Sequence, residues 1–228
     1  MKRITFWFDV ISPYAYLAFD ALPQALEGIS HAVDYRPMLF AGALQHWGQK
    51  GPAEIEPKRQ WTFRQAHWLA HRQGLRLQTP AQHPFNPLAL QRLAVACAPL
   101  LAAQPEAGEA LHASPAPGPN RRVVQALFQH VWEGGGDAND PARLAALHTL
   151  LAPARDPTSA EVKAALRANT EEAVAAGVFG VPSFACGGRL YWGQEALPML
   201  RAALMGDAWF DGPAWEREGA PRPGLKRA

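Results

Sequence analysis

Ile4-Thr5-Phe6-Trp7-Phe8-Asp9 is an apolar, β-branched and aromatic run that passes through Val10-Ile11 into Ser12-Pro13-Tyr14-Ala15-Tyr16-Leu17-Ala18. Residues 3–9 read as a strand. Pro13 suits the first helical position, where no N–H is needed, which makes Ser12 the N-cap. Tyr16, Leu17, Leu22 and Leu26 follow at roughly helical spacing and Gly28 is a stop, so the helix is expected over 13–27. His31–Arg36 reads as a second strand, ended by Pro37. Strand, helix and strand of these lengths form a βαβ unit, with parallel strands and a right-handed crossover. The Ser12 junction also carries chemistry. A hydroxyl there lies beside free backbone amides and the positive end of a helix dipole, where an anion can be held. A purely capping Ser12 is the alternative, and the two roles are compatible.

Residues 41–155 differ in character. They are rich in Ala, Leu, Gln, Arg and His, with helices expected near 57–73, 87–102, 120–133 and 140–151, the last entered through an Asp140-Pro141 cap pair. Gln104–Asn120, rich in Ala, Pro and Gly, reads as an exposed loop. Strand-and-helix alternation then returns. Thr158 or Ser159 caps a helix that Gly177 ends. A strand over 178–186 enters through Pro182, turns at Gly187-Gly188 and returns along Arg189–Trp192. A final helix spans 194–205, and an aromatic tail (Trp209, Phe210, Trp215) is expected on the body or at a homodimer interface. The expected plan is α/β: a thioredoxin-like domain (βαβ, then α-ββ-α) over 1–40 and 156–228, with a large all-helical insertion over 41–155.

The chain has 228 residues, 48% hydrophobic, enough for a sizeable core. Its formal net charge of +2 and scattered arginines do not point to nucleic acid or a membrane surface. No window approaches the roughly 18 apolar residues of a membrane span, and the N-terminus lacks the features of a secretory signal. Cys97 and Cys186 are far apart and in no C-x-x-C pair, which suits a reducing cytoplasm and excludes a Cys-rich zinc site. His67 and His71 are four apart but have no H-E-x-x-H pattern. With His46 and His83 they read as surface or satisfied core residues, so no metal is expected. Trp61, Phe63, His67 and Trp68 read as core or pocket wall.

Phe8-Asp9-Val10-Ile11-Ser12-Pro13-Tyr14-Ala15-Tyr16-Leu17-Ala18 resembles the N-terminal motif of 2-hydroxychromene-2-carboxylate isomerases and kappa-class glutathione transferases, relatives of the DsbA oxidoreductases. The likeness continues at Tyr35–Phe40, Pro84–Ala89, Gly177–Phe184 and Trp192–Glu195, in order along nearly the whole chain. The resemblance implies glutathione as cofactor and Ser12 in the slot of the DsbA nucleophilic cysteine. With no cysteine near position 12, dithiol exchange in cis is not available. Ser12 is therefore assigned as a donor that keeps the glutathione thiol ionised. No His/Asp partner near it would make it a nucleophile.

The resemblance further implies a cis Val181–Pro182 bond, with the Val181 backbone pairing the cysteinyl part of glutathione. Gln194 and Glu195 would meet the γ-glutamyl end, Glu195 standing where an Asp is common. Lys58 matches a lysine for the glycine carboxylate, Gln49 stands where Asn is usual, and Asn86 matches the family's Asn. Tyr14 and Arg36 are candidates for the substrate carboxylate or ring. Each has a plainer reading: edge proline, first-turn acid, solvated lysine or polar loop residue. The implied activity is isomerisation of an aromatic-derived carboxylate by reversible thiolate addition, within cytoplasmic aromatic catabolism. The alternatives are a kappa-type transferase and a non-catalytic thiol- or peptide-binding protein.

Overall fold

The computed structural model describes residues 1–99 and 118–220, so the loop expected over 104–120 lies outside the described residues up to residue 117. Strand β1 (Lys2–Phe8) leads through α1 (Pro13–Ala25) to β2 (His31–Pro37), which pairs with β1 in parallel from Lys2↔His31 to Phe8↔Pro37. Strands β3 (Ser183–Cys186) and β4 (Arg189–Trp192) form an antiparallel hairpin, and β3 also lies antiparallel to β1. The sheet order is therefore β2-β1-β3-β4. Gly187 and Gly188 have φ of +57° and +75°, the sign that a two-residue hairpin turn needs at both positions.

Alternation along β1 assigns the two faces of the sheet. Ile4, Phe6 and Phe8 enter the larger core with Leu17 and Leu22 of α1. Trp7 points the other way, to Met38, Val178, Val181 and Ala173. Ala173 lies on α7 (Ala160–Ala175), capped by Ser159 as expected. On the larger face Phe6 stacks on Phe184 with ring centroids 4.9 Å apart. Burial of each such ring is worth about 2–3 kcal/mol.

The 41–155 segment holds α2 (Phe40–His46), α3 (Glu56–Gln73), α4 (Leu88–Ala96), α5 (Arg121–Trp132) and α6 (Pro141–Leu151). Val123, Val124, Leu127, Phe128 and Val131 give α5 one apolar face. That face joins the same buried cluster as β1 and α1. Gln91 of α4, fully buried, donates from Nε2 to the carbonyls of Phe8 (3.0 Å) and Met38 (2.7 Å) and so fastens α4 to the ends of β1 and β2.

Several boundaries differ from expectation. The strand expected from 178 begins at Ser183, because Pro182 has no N–H to give the ladder. The helix expected over 194–205 is a 3-10 turn (Gln194–Ala196) followed by α8 (Leu197–Leu204). Helix α4 ends at Ala96 rather than 102. Helix α2 and a 3-10 turn at Pro52–Glu54 were not expected. Trp61 and Trp68 are not core: they are 63% and 54% exposed, and only Phe63 of that stripe packs inward. The tail forms α9 (Ala208–Asp211) and α10 (Ala214–Gly219), whose Phe210 and Trp215 pack against Tyr191.

Candidate active site

Ser12 lies at the end of the β1–α1 turn. Its φ of −91° and ψ of 118° are those of an N-cap, and its Oγ accepts from Ala15 N–H at 3.2 Å. The same oxygen donates to the Val181 carbonyl at 3.2 Å, joining α1 to the segment before β3. The Val181–Pro182 bond is cis. The Val181 N–H donates to no described residue.

Four contacts fix the turn under Ser12. Asp9 accepts the Ile11 N–H on one carboxylate oxygen (3.1 Å) and the Phe40 N–H on the other (2.9 Å). Trp132 Nε1 donates to the Val10 carbonyl at 2.9 Å. His83 Nε2 lies 2.9 Å from the Ile11 carbonyl, which can only accept, so Nε2 carries the proton and the buried Nδ1 is left without a partner. Burial pushes the His83 pKa down, which favours this neutral form. Burial pushes Asp9 up to about 7 against the pull of its two N–H donors. His83 and Trp132 come from the helical segment, so that segment braces the turn that carries Ser12.

The residues after β4 lie beside Pro182 and complete the candidate site. The Gly193 N–H donates to the Pro182 carbonyl at 2.9 Å. At Gly193 φ is +91°, and a side chain there would meet the Glu195 carboxyl carbon at 2.5 Å. The 3-10 turn carrying Gln194 and Glu195 packs on α1. Gln194 Oε1 is buried without a partner. Burial, the Glu195 charge adding to it, holds the Tyr14 phenol protonated well above neutrality. The Tyr14 hydroxyl reaches Gln65 Oε1 at 2.7 Å and also lies 3.4 Å from the Thr62 carbonyl of α3. Lys58, Thr62 and Gln65 fall at i, i+4 and i+7, one face of that helix. Lys58 is exposed on that face, one turn beyond the residues Tyr14 touches.

The structure thus brings together Ser12, Tyr14, Val181, Pro182, Gln194 and Glu195, while Lys58 shares only a helix face with the residues that Tyr14 touches. Gln194 and Glu195 sit on a 3-10 turn rather than opening an α-helix, so no α-helix dipole begins at them. Gln49 is exposed between α2 and the following turn, its N–H held by the Leu44 carbonyl. Asn86 uses Oδ1 to accept from Leu88 N–H at the start of α4 (3.0 Å). Neither has a hydrogen bond to a cleft residue among the described residues. Arg36 is a correction. It is 3% exposed and points to the α7 face, where its guanidinium meets Asp34 at 2.6 Å, Asn169 at 3.4 Å and Glu172 at 3.8 Å. Its charge is spent inside the fold and does not reach Ser12.

Neither cysteine supplies a thiolate: burial pushes Cys97 up to about 11 and raises Cys186. Asp9 and Trp132 were missed as supports. An acid closing an apolar strand was a readable signal for Asp9, whereas nothing local in the sequence marks Trp132. His83 is partly buried and half satisfied, with Nε2 on the Ile11 carbonyl and Nδ1 without a partner among the described residues.

The family model for the DsbA-like thioredoxin domain matches residues 3–205. The 2-hydroxychromene-2-carboxylate isomerase of Sphingobium xenophagum is 26% identical over 90% of this chain and 98% of its own. Glutathione S-transferase kappa 2 of Caenorhabditis elegans is 27% identical over 79% of each chain. A solved 2-hydroxychromene-2-carboxylate isomerase superposes with a TM-score of 0.70 at 20% identity, covering 92% of this chain and 97% of that one.

Proposed function

The chain belongs to the DsbA-like thioredoxin domain family, and within it we propose a glutathione-dependent isomerase of the 2-hydroxychromene-2-carboxylate isomerase type. The observation that carries this reading is the Ser12 hydroxyl at the α1 N-terminus, 3.2 Å from the Val181 carbonyl, with no cysteine in the turn. The cleft offers what a γ-glutamyl-cysteinyl-glycine tripeptide needs. Val181 has an N–H with no acceptor among the described residues, available for backbone pairing. Gln194 has a buried, unpartnered acceptor suited to an ammonium. Lys58 offers an exposed cation for a terminal carboxylate.

Glutathione, when bound, supplies a thiolate that adds reversibly to a conjugated carboxylate and leaves again. Ser12 sets the protonation of that sulfur. Its bond to Val181, at 3.2 Å, is longer than the usual O–H···O distance of about 2.7–2.8 Å and is easily given up. An amide arriving at the Val181 carbonyl competes for the same acceptor and releases the hydroxyl to donate elsewhere. The α1 dipole favours negative charge at the same point. Tyr14, held protonated, would turn its one O–H from Gln65 to a substrate carboxylate or developing oxyanion.

The substrate class is an aromatic-derived carboxylate, and the setting a cytoplasmic step of aromatic catabolism. Among the described residues no helix is long and apolar enough to cross a membrane. A homodimer would cover the exposed Trp61 and Trp68 of α3. The test is turnover of 2-hydroxychromene-2-carboxylate with glutathione well below substrate concentration. The isomerase reading requires product to exceed the glutathione supplied, with glutathione recovered. Glutathione consumed one for one with an electrophile such as chlorodinitrobenzene, without isomerisation, would make the protein a kappa-type transferase. Binding without turnover of either would make it a thiol-binding protein.

A further inference from the structure

A second concavity lies on the opposite side of the sheet from α1, between α2, α4 and α7. Its volume is about 460 Å³ and none of its lining residues belongs to the Ser12 cleft. That size falls within the roughly 300–1,000 Å³ typical of small-molecule sites. Leu39, Leu88 and Leu166 contribute its apolar lining. The lining cations are less expected. Arg92 of α4 is half-buried, and its Nε is shut off from solvent with no hydrogen-bond partner. Lys163 and Arg167 lie four residues apart on α7, a like-charge pair that costs a helix a few tenths of a kcal/mol.

None of these three cations forms an ion pair among the described residues. Lys163 interacts at longer range with Asp156, whose carboxylate is held by Thr158, whereas Glu161 pairs with Arg155 at 3.0 Å and Glu172 with Arg36 at 3.8 Å. Among the described residues Glu171 is the one carboxylate lining the groove, and it lies beyond ion-pairing distance of Arg167. His46 adds a titratable group on the α2 side. A guanidinium nitrogen shut off from solvent without a partner is costly unless a counter-charge meets the group. The groove therefore combines an apolar lining with an excess of positive charge, Arg92, Lys163 and Arg167 against Glu171, the complement of a small molecule with one anionic end.

We propose that this groove binds an amphipathic monoanion, its carboxylate or sulfonate head between Arg92 and Arg167 and its apolar body on Leu39, Leu88 and Leu166. The site stands independently of the glutathione reading. Its α2 wall is tethered to the catalytic turn through Asp9, whose carboxylate accepts both the Phe40 and the Ile11 N–H, so occupancy and the Ser12 turn share one strut.

The test uses the full chain and the fluorescent anion anilinonaphthalene sulfonate, with octanoate as competitor. The expected result is saturable one-site binding, displaced by octanoate and not by glutathione. Arg92→Gln and Arg167→Gln should each weaken it about tenfold, the loss of one charge-assisted contact. Arg167 is exposed, so its variant keeps the test valid if Arg92→Gln folds poorly. Unchanged affinity in Arg167→Gln, displacement of the dye by glutathione, or no saturable binding would each overturn the proposal.

Discussion

Ser12 uses one oxygen twice, as acceptor for Ala15 and donor to Val181, so capping the helix leaves its proton free for other work. The short motif around it was legible because a hydroxyl before Pro at a strand–helix junction has few other uses. From the residues alone Pro182 was legible as a proline at a strand entrance; its cis bond and the part given to Val181 came from the family resemblance. Arg36 was not legible, because a one-residue position in a strand decides which face it serves, and that depends on the pairing of Trp7 with it across β1 and β2. Gly193 gives a residue-scale prediction. At φ of +91° and ψ of 161° it occupies a region that only glycine holds cheaply, and its missing side chain leaves room for the Glu195 carboxylate. Gly193→Ala should cost about 1–3 kcal/mol of stability and weaken glutathione binding. Glu195→Ala should weaken binding while leaving the denaturation midpoint unchanged. Calorimetric titration and urea unfolding of both variants separate strain from ligand contact.

At the scale of elements, periodicity and caps located α1, α3, α5, α6 and α7 within a few residues, with Asp140 and Ser159 capping as expected. Short pieces were harder. Helix α2 has no side-chain cap hydrogen bond, and the 3-10 turn at Gln194 has the same local pattern as a helix start. Exposure of Trp61 and Trp68 was also beyond the sequence, because their apolar character matches that of a buried stripe. How α4 attaches to the sheet depends on a polar residue in the core. Gln91→Leu keeps the volume but takes the one side-chain donor from the Met38 carbonyl and leaves the Phe8 carbonyl with the Met38 N–H alone, and should destabilise the chain by about 1–3 kcal/mol. Urea unfolding measures it; a loss below a few tenths would mean that these carbonyls find other donors.

For the whole molecule, the helical segment and the strand-bearing segments share one core, and residues from the former (His83, Trp132) hold the turn in the latter that carries Ser12. The sequence carried the order of these parts, but not which distant side chains would reach the Val10 and Ile11 carbonyls. Global stability should record the cost of burying Asp9. Its pKa rises from 3.8 to about 7 on folding. Between those values the folded chain holds a proton that the unfolded chain has released. The associated stability is therefore complete below pH 3.8, lost as pH rises through about 7, and flat beyond. Relative to Asp9→Asn, the wild type should lose stability across that window at no more than about 1.4 kcal/mol per pH unit. Parallel pH profiles for the two proteins would contradict the assignment.

The central claim is that Ser12 keeps a bound thiol ionised, and its most direct measure is the pKa of glutathione bound to wild type and to Ser12→Ala, followed by thiolate ultraviolet absorbance. The account predicts a bound thiol at least about one unit below the free value near 8.5 in the wild type, and a return toward that value in Ser12→Ala with the fold intact. Equal pKa values in the two proteins would contradict it.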